Sequence, residues 1–224
     1  HYEAIMSQVI KVFKTHEISD EHWHEVTTGF NKAFNLSRNS EYFREYYMRT
    51  VFGYSYHALV FEDDNKVIAS NSLIPFRYQD THNDKEVLIG QSGGTYVLEG
   101  YRNDIFIFQD MLSALWEYSE KEGVVASLGV PNENSFQYSI KFLESTLIGY
   151  LPYYVLPVRI FNIRSKQFAG LNFINLIFTY CWTAVNYIAS QIYNAKEKNA
   201  RFQLKIKDDF YSMRLGGGNY EEIT

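Results

Sequence analysis

The chain has 224 residues, 46% hydrophobic and 21% charged, which excludes a mainly disordered segment and gives enough length to bury a core without staples. A net charge of -5 and a pI of about 5.7 argue against nucleic acid as a partner, since such proteins work through a basic face. Cys181 is the single cysteine; it allows no internal disulfide and no paired-cysteine metal site, so a reducing, cytoplasmic compartment is expected.

His1–Ile10 lacks a basic region followed by an apolar run and does not read as a signal peptide. Ile5–Phe13 reads as an edge strand. Ser19-Asp20-Glu21 opens a helix with a capping hydroxyl and acids in the first turn, and Trp23, Val26, Phe30 and Phe34 recur at helical spacing to give it one apolar face. A second helix is expected from Asn39-Ser40-Glu41 to about Thr50, carrying Phe43, Tyr46 and Tyr47. Ser55–Phe61 and Val67–Tyr78 read as strands of an antiparallel hairpin around a polar turn.

Glu86–Leu98 reads as a third strand, broken by Gly93-Gly94, where a bulge or the close approach of another molecule is expected. Asn103–Glu122 has the pattern of a strong helix, with Phe108, Met111, Leu112, Leu115 and Trp116 as its face and Gly123 as its stop. Val124–Val130 is expected as a buried strand, Ser135 to about Ser145 as a helix and Tyr153–Ile160 as a strand. About 30 residues between Lys166 and Lys196 carry no charge, and Arg201–Met213 reads as a closing strand with Phe202, Leu204 and Ile206 on one side. Gly216–Gly218 is a turn signal, after which Asn219–Thr224 reads as the start of a further element. The strand and helix order predicts an α+β (α/β three-layer) fold, a mixed, mostly antiparallel sheet flanked by helices on both faces.

Thr95-Tyr96-Val97-Leu98-Glu99-Gly100-Tyr101-Arg102 leads into the Asn103–Glu122 helix, and Gly129-Val130-Pro131-Asn132-Glu133-Asn134-Ser135 follows the next strand. In this order the two segments resemble the GNAT (Gcn5-related N-acetyltransferase) superfamily. The Gly-x-Pro-Asn-x-x-Ser form is similar to a subset of uncharacterised bacterial members. The resemblance covers roughly residues 3 to 160. It implies a GNAT-like domain over 1–164, with an uncharged apolar helical insertion at 165–198 and a closing strand at 199–224.

The resemblance implies acyl transfer from acetyl-CoA or another acyl-CoA to a small amine such as an amino-sugar, with no metal. Backbone groups near Tyr96, Val97 and Leu98 would pair with the pantetheine arm, and Asn132 and Ser135 would lie beside it. The helix start, with Arg102, Asn103, Asp104, Ile105, Phe106 and Ile107, would face the pyrophosphate. Glu99 is the candidate base for the amine. The family's usual acid position is Ser139 here, with Tyr138 adjacent but turned by about 100° along a helix.

The family's glycine-rich loop is filled in this chain. Asn103, Ile105 and Ile107 occupy the glycine positions, where the isoleucines are expected to crowd a phosphate and Asp104 to repel it. This leaves a second reading open, a degenerate GNAT-fold binding or assembly module with a blocked pyrophosphate loop.

Other residues carry bland expectations. His57 reads as a satisfied core histidine, Cys181 as buried and inert, and His22 with His24 as facing different ways. Gln91 and Ser92 are candidate lining of the acceptor cleft. Leu171–Ala189 is long enough to span a bilayer, but Asn172, Asn175 and Asn186 are costly in lipid. A packed helix, a lid or a homodimer contact through 165–198 is expected instead of membrane association.

Overall fold

The computed structural model describes residues 8–62, 66–131, 133–142, 145–149, 177–185, 187–188 and 201–205. Two compact units are distinguished, His1–Leu147 with Phe202–Thr224, and Ile148–Arg201.

In the first unit the element order is β1 (Gln8–Lys14), α1 (Asp20–Phe34), α2 (Ser40–Met48), β2 (Tyr56–Glu62), β3 (Lys66–Asp80), β4 (Lys85–Val97), α3 (Ile105–Lys121), β5 (Val124–Gly129), α4 (Glu133–Phe142) and β6 (Phe202–Leu204). Among the described residues the sheet runs β1-β2-β3-β4-β5. The pairs from β1 to β4 are antiparallel, β4 and β5 are parallel, and β6 lies along the Tyr78–Asp80 end of β3. This is the mixed, mostly antiparallel α+β architecture expected from the element order.

The helix starts follow local chemistry. The Ser19 side chain accepts from the His22 N–H to cap α1, and Asn39 does the same for Tyr42 at α2, each satisfying a donor left over by helix geometry. Strand β2 is buried on both faces. Leu59 and Phe61 join Trp23, Val26, Phe43 and Tyr47 under α1 and α2, while Tyr56, Ala58 and Val60 join Ile107, Met111 and Leu115 under α3. Two apolar layers on one sheet explain why so aromatic a chain needs no polar strand face.

Several expectations are corrected. Phe34 and Tyr46, placed on apolar helix faces by periodicity, are exposed: Phe34 ends α1, and Tyr46 is turned by about 100° from Tyr47, which takes the core position of that turn. Strand β5 alternates between sheltered and open residues, with Val125 exposed, rather than being buried throughout. It pairs with β4 on one edge. Helix α4 begins at Glu133, earlier than expected.

In the second unit residues 177–185 and 187–188 are helical. Phe178 and Trp182 stack there with centroids 6.2 Å apart, and Cys181 is exposed rather than buried. Among the described residues no helix is long and apolar enough to cross a membrane. The expected strand Tyr153–Ile160 lies outside the described residues, as does Ile206 onward.

Candidate active site

The site begins with a glycine. Gly94 has φ +65 and sits against the Tyr47 hydroxyl, so that a Cβ built on it would lie 2.0 Å from Tyr47 Oη. Only glycine meets both demands. Across from it, β3 pairs Ser70 with Tyr96 and Ser72 with Gly93. One more residue is spent on β4 than on β3, which is the β-bulge that the Gly93-Gly94 pair predicts.

The bulge has a consequence on the other edge of β4. Pairing with β5 runs from Leu88↔Val124 to Ser92↔Gly129 and stops there, while β4 continues through Gly93–Val97. A cleft of about 1140 Å³ opens where the two strands part. Gly93–Val97 form one wall and Ser127, Gly129, Val130 and Pro131 another. Helix α3 closes a third side with Phe108, Leu112 and Trp116, spaced four apart and therefore on one stripe. The neighbouring stripe, Ile107, Met111 and Leu115, is buried in the core. Phe34 of α1 stands at the margin of the cleft.

Beneath the bulge is a buried polar chain. The Tyr47 phenol hydrogen-bonds Ser72, and burial pushes its pKa up to about 12. Ser72 Oγ lies 2.8 Å from His57 Nδ1, and His57 Nε2 lies 2.9 Å from Thr15 Oγ1. Thr15 Oγ1 donates to the Ser55 carbonyl at 3.2 Å and accepts from the Ser55 N–H at 2.8 Å. The network therefore assigns Nε2 of His57 as donor and Nδ1 as acceptor from Ser72. Burial holds the imidazole at about 3, so it stays neutral. His57 is thus the satisfied core histidine expected, and its partners tie the turn after β1, at Thr15, and strands β2 and β3 to the glycine that makes the bulge.

Asn71 is the β3 residue left between the two flanking pairs. It is 0% exposed and lines the cleft. Its Oδ1 accepts from Thr95 Oγ1 at 2.9 Å and from Ser92 Oγ at 3.3 Å, while its Nδ2 has no hydrogen-bond partner among the described residues. The signal that could have found it is Ser70-Asn71-Ser72, a polar triplet inside an otherwise apolar strand.

The residues singled out from sequence divide as follows. Tyr96, Val97, Arg102, Asp104 and Ser139 line the cleft. The Tyr96 ring is buried against Gly29 of α1, and burial raises the phenol pKa. Arg102 Nε donates to the Val97 carbonyl at 3.0 Å. Asp104 is the N-cap of α3 and accepts from the Phe106 N–H at 3.0 Å.

Glu99, Leu98, Asn103, Phe106 and Ile107 do not line it. Glu99 is exposed in a short 3₁₀ turn at Glu99–Tyr101, and Phe106 is 64% exposed. Ile107 turns into the core instead of crowding the helix start, which corrects that expectation. Asn132 lies outside the described residues, as do the side chains of Ile105, Ser135 and Tyr138. Ser92 lines the cleft, whereas Gln91 borders a separate small pocket. Among the described residues no group of three or more His, Cys, Asp or Glu converges as a metal site.

A bulged strand parting from a parallel neighbour, with a helix starting beside the gap, is matched by the family comparison. Residues 14–142, more than half of the chain, match the model of the Acetyltransferase (GNAT) domain. The chain belongs to the GNAT acetyltransferase family. No curated protein matches it significantly in sequence. Among solved structures it is similar to an acetyltransferase of Trypanosoma brucei, at 13% identity and a TM-score of 0.51 over 67% of this chain and 100% of that one. It is similar also to an aminoglycoside N-acetyltransferase solved in complex with CoA, at 9% identity and a TM-score of 0.50 over 68% of this chain and 98% of that one. At these identities the structural matches speak for the fold.

Proposed function

We propose that this GNAT domain is an N-acyltransferase that takes an acyl group, acetyl in the first instance, from acyl-CoA and delivers it to a small amine. The single observation carrying this reading is the cleft formed where β4 leaves β5 at Gly93–Val97. The outer edge of β4 there has no β5 partner, which suits the amide-bearing pantetheine arm. The unpartnered Nδ2 of buried Asn71 marks the same place as one that fits a polar ligand. Bound acetyl-CoA would supply an activated thioester.

The chain's own residues account for the rest of the chemistry. Backbone N–H groups at the bulge are fixed dipoles for a carbonyl oxygen that gains negative charge, the usual largest contribution to acyl-transfer catalysis. The stripe of Phe108, Leu112 and Trp116 excludes water from the thioester. Ser139 on α4 lines the cleft, and we assign its hydroxyl a proton relay: it gives its proton to the leaving sulfur and takes one from the attacking amine nitrogen, so amide and free thiol form and the serine is restored. Glu117, at the cleft, favours a cationic amine as acceptor. An amino-sugar fits that charge, and the aminoglycoside acetyltransferase with a similar fold makes this class the first to try. Thiol release from acetyl-CoA in the presence of a panel of amino-sugars and small amines tests the activity. Turnover above the amine-free blank supports it, and none with the folded protein counts against it.

Asp104 favours a second reading. Its carboxylate already occupies the Phe106 N–H at the start of α3, where a pyrophosphate would otherwise be received. On that reading the domain is a non-catalytic binding module. An Asp104→Asn variant keeps the cap and removes the charge. CoA binding that appears only in this variant supports the second reading; binding by the natural chain removes it.

A further inference from the structure

We propose that Asn71 is a ligand-contacting residue, its carboxamide donating a hydrogen bond to the acyl carbonyl oxygen of the group held in the cleft. This rests on the acyltransferase reading above and adds a donor on β3 to the backbone donors of β4.

The argument starts from satisfaction of polar groups. A buried amide donor without a partner bears the full cost of its lost hydration and is rare in folded proteins. Asn71 is fully buried, and its Nδ2 has no partner among the described residues. The side chain is not adrift. Thr95 Oγ1 at 2.9 Å and Ser92 Oγ at 3.3 Å both donate to its Oδ1. A carboxamide is planar, so fixing Oδ1 from two hydroxyls fixes the direction of Nδ2 as well.

The position is equally specific. Asn71 sits opposite the bulge, between the pairs Ser70↔Tyr96 and Ser72↔Gly93; of the two residues holding it, Thr95 belongs to the bulged stretch of β4 and Ser92 flanks it. Its neighbour Ser72 joins the buried chain to His57 and Tyr47. The donor is therefore mounted beside that buried chain and borders the cleft. A neutral N–H suits a carbonyl oxygen. It repels the ammonium form of an acceptor amine.

The experiment compares two probes by isothermal titration with the full chain. Acetyl-CoA carries the carbonyl; S-ethyl-CoA has the same size without it. The natural chain is expected to bind acetyl-CoA more tightly by roughly two- to tenfold, the worth of one neutral hydrogen bond. In Asn71→Leu that preference shrinks to what the backbone donors of β4 supply, while affinity for S-ethyl-CoA stays the same. Thr95→Val removes one hydroxyl aiming the amide but keeps the donor and the strand, and is expected to narrow the preference. It provides a reading even where the Asn71 variant does not fold. An unchanged preference in the folded variants overturns the assignment of Asn71, as does an equal loss for both probes. Failure of the natural chain to bind either probe overturns the acyltransferase reading itself.

Discussion

Replacing Gly94 by alanine tests whether the bulge is made by that residue. The added Cβ would stand 2.0 Å from Tyr47 Oη, on a backbone with φ +65. A non-glycine residue in the left-handed region costs on the order of 1 kcal/mol. Displacing a buried phenol costs roughly 1–3 kcal/mol more by overpacking. The expected loss is thus about 2–4 kcal/mol, a substantial part of a typical domain's stability of about 5–15 kcal/mol.

The second component is separable from the first. Tyr47→Phe alone loses the hydrogen bond to Ser72, worth about 1 kcal/mol. In the Gly94→Ala background it removes the clashing oxygen and leaves the ring carbon Cζ at 3.3 Å, so the same substitution becomes stabilising there. Urea denaturation followed by tryptophan fluorescence reads the effect, because Trp23 stacks on Tyr47 with centroids 6.2 Å apart. A Gly94→Ala variant within about 0.5 kcal/mol of the natural chain, or additive single and double variants, would refute the account of the bulge.

Other outcomes follow from the same geometry. Gly29→Ala puts a Cβ 2.5 Å from the Tyr96 ring, so it should destabilise by roughly 1–3 kcal/mol despite the better helix propensity of alanine, read by chemical denaturation. His57 is held at about 3 by burial, below its unfolded value of about 6.5. The unfolded chain therefore takes up a proton that the folded chain refuses, and the stability present above about pH 6.5 falls as the pH drops toward 3. The decline is about 1.4 kcal/mol per pH unit from this group, and a melting-temperature series from pH 7 to 5 should be flatter in His57→Gln. Asp104→Asn should leave the melting temperature nearly unchanged, since asparagine caps as well as aspartate, and should strengthen acetyl-CoA binding through the lost repulsion, read by titration calorimetry.

What was legible in the sequence was what is decided locally. Ser19 and Asn39 cap helices through their own third neighbours, Gly123 takes a left-handed φ after α3, and Gly93-Gly94 marks the bulge. These need no knowledge of the rest of the chain. The misjudged residues depend on which surface is covered. Phe34 has the right helical spacing for the core yet overhangs it, because periodicity gives the direction of a side chain but not the reach of the sheet beneath it. For α3, one broad apolar face was expected where the structure has two stripes, Ile107 and Met111 in the core and Phe108, Leu112 and Trp116 at the cleft, with Leu115 reaching both. Helical phase could have separated them, but nothing local says which stripe meets a cavity. Asn71 was missed because its meaning lies in partners more than twenty residues away on β4.

The central claim, that the parting of β4 from β5 receives the acyl-CoA, is tested most directly by amide hydrogen exchange of the full chain with and without acetyl-CoA. The account predicts slowed exchange at Gly93–Val97 and in the first turn of α3, with the buried ends of β2 and β3 unchanged. Protection confined to any other part of the chain, or none at all with the folded protein at saturating ligand, would contradict it.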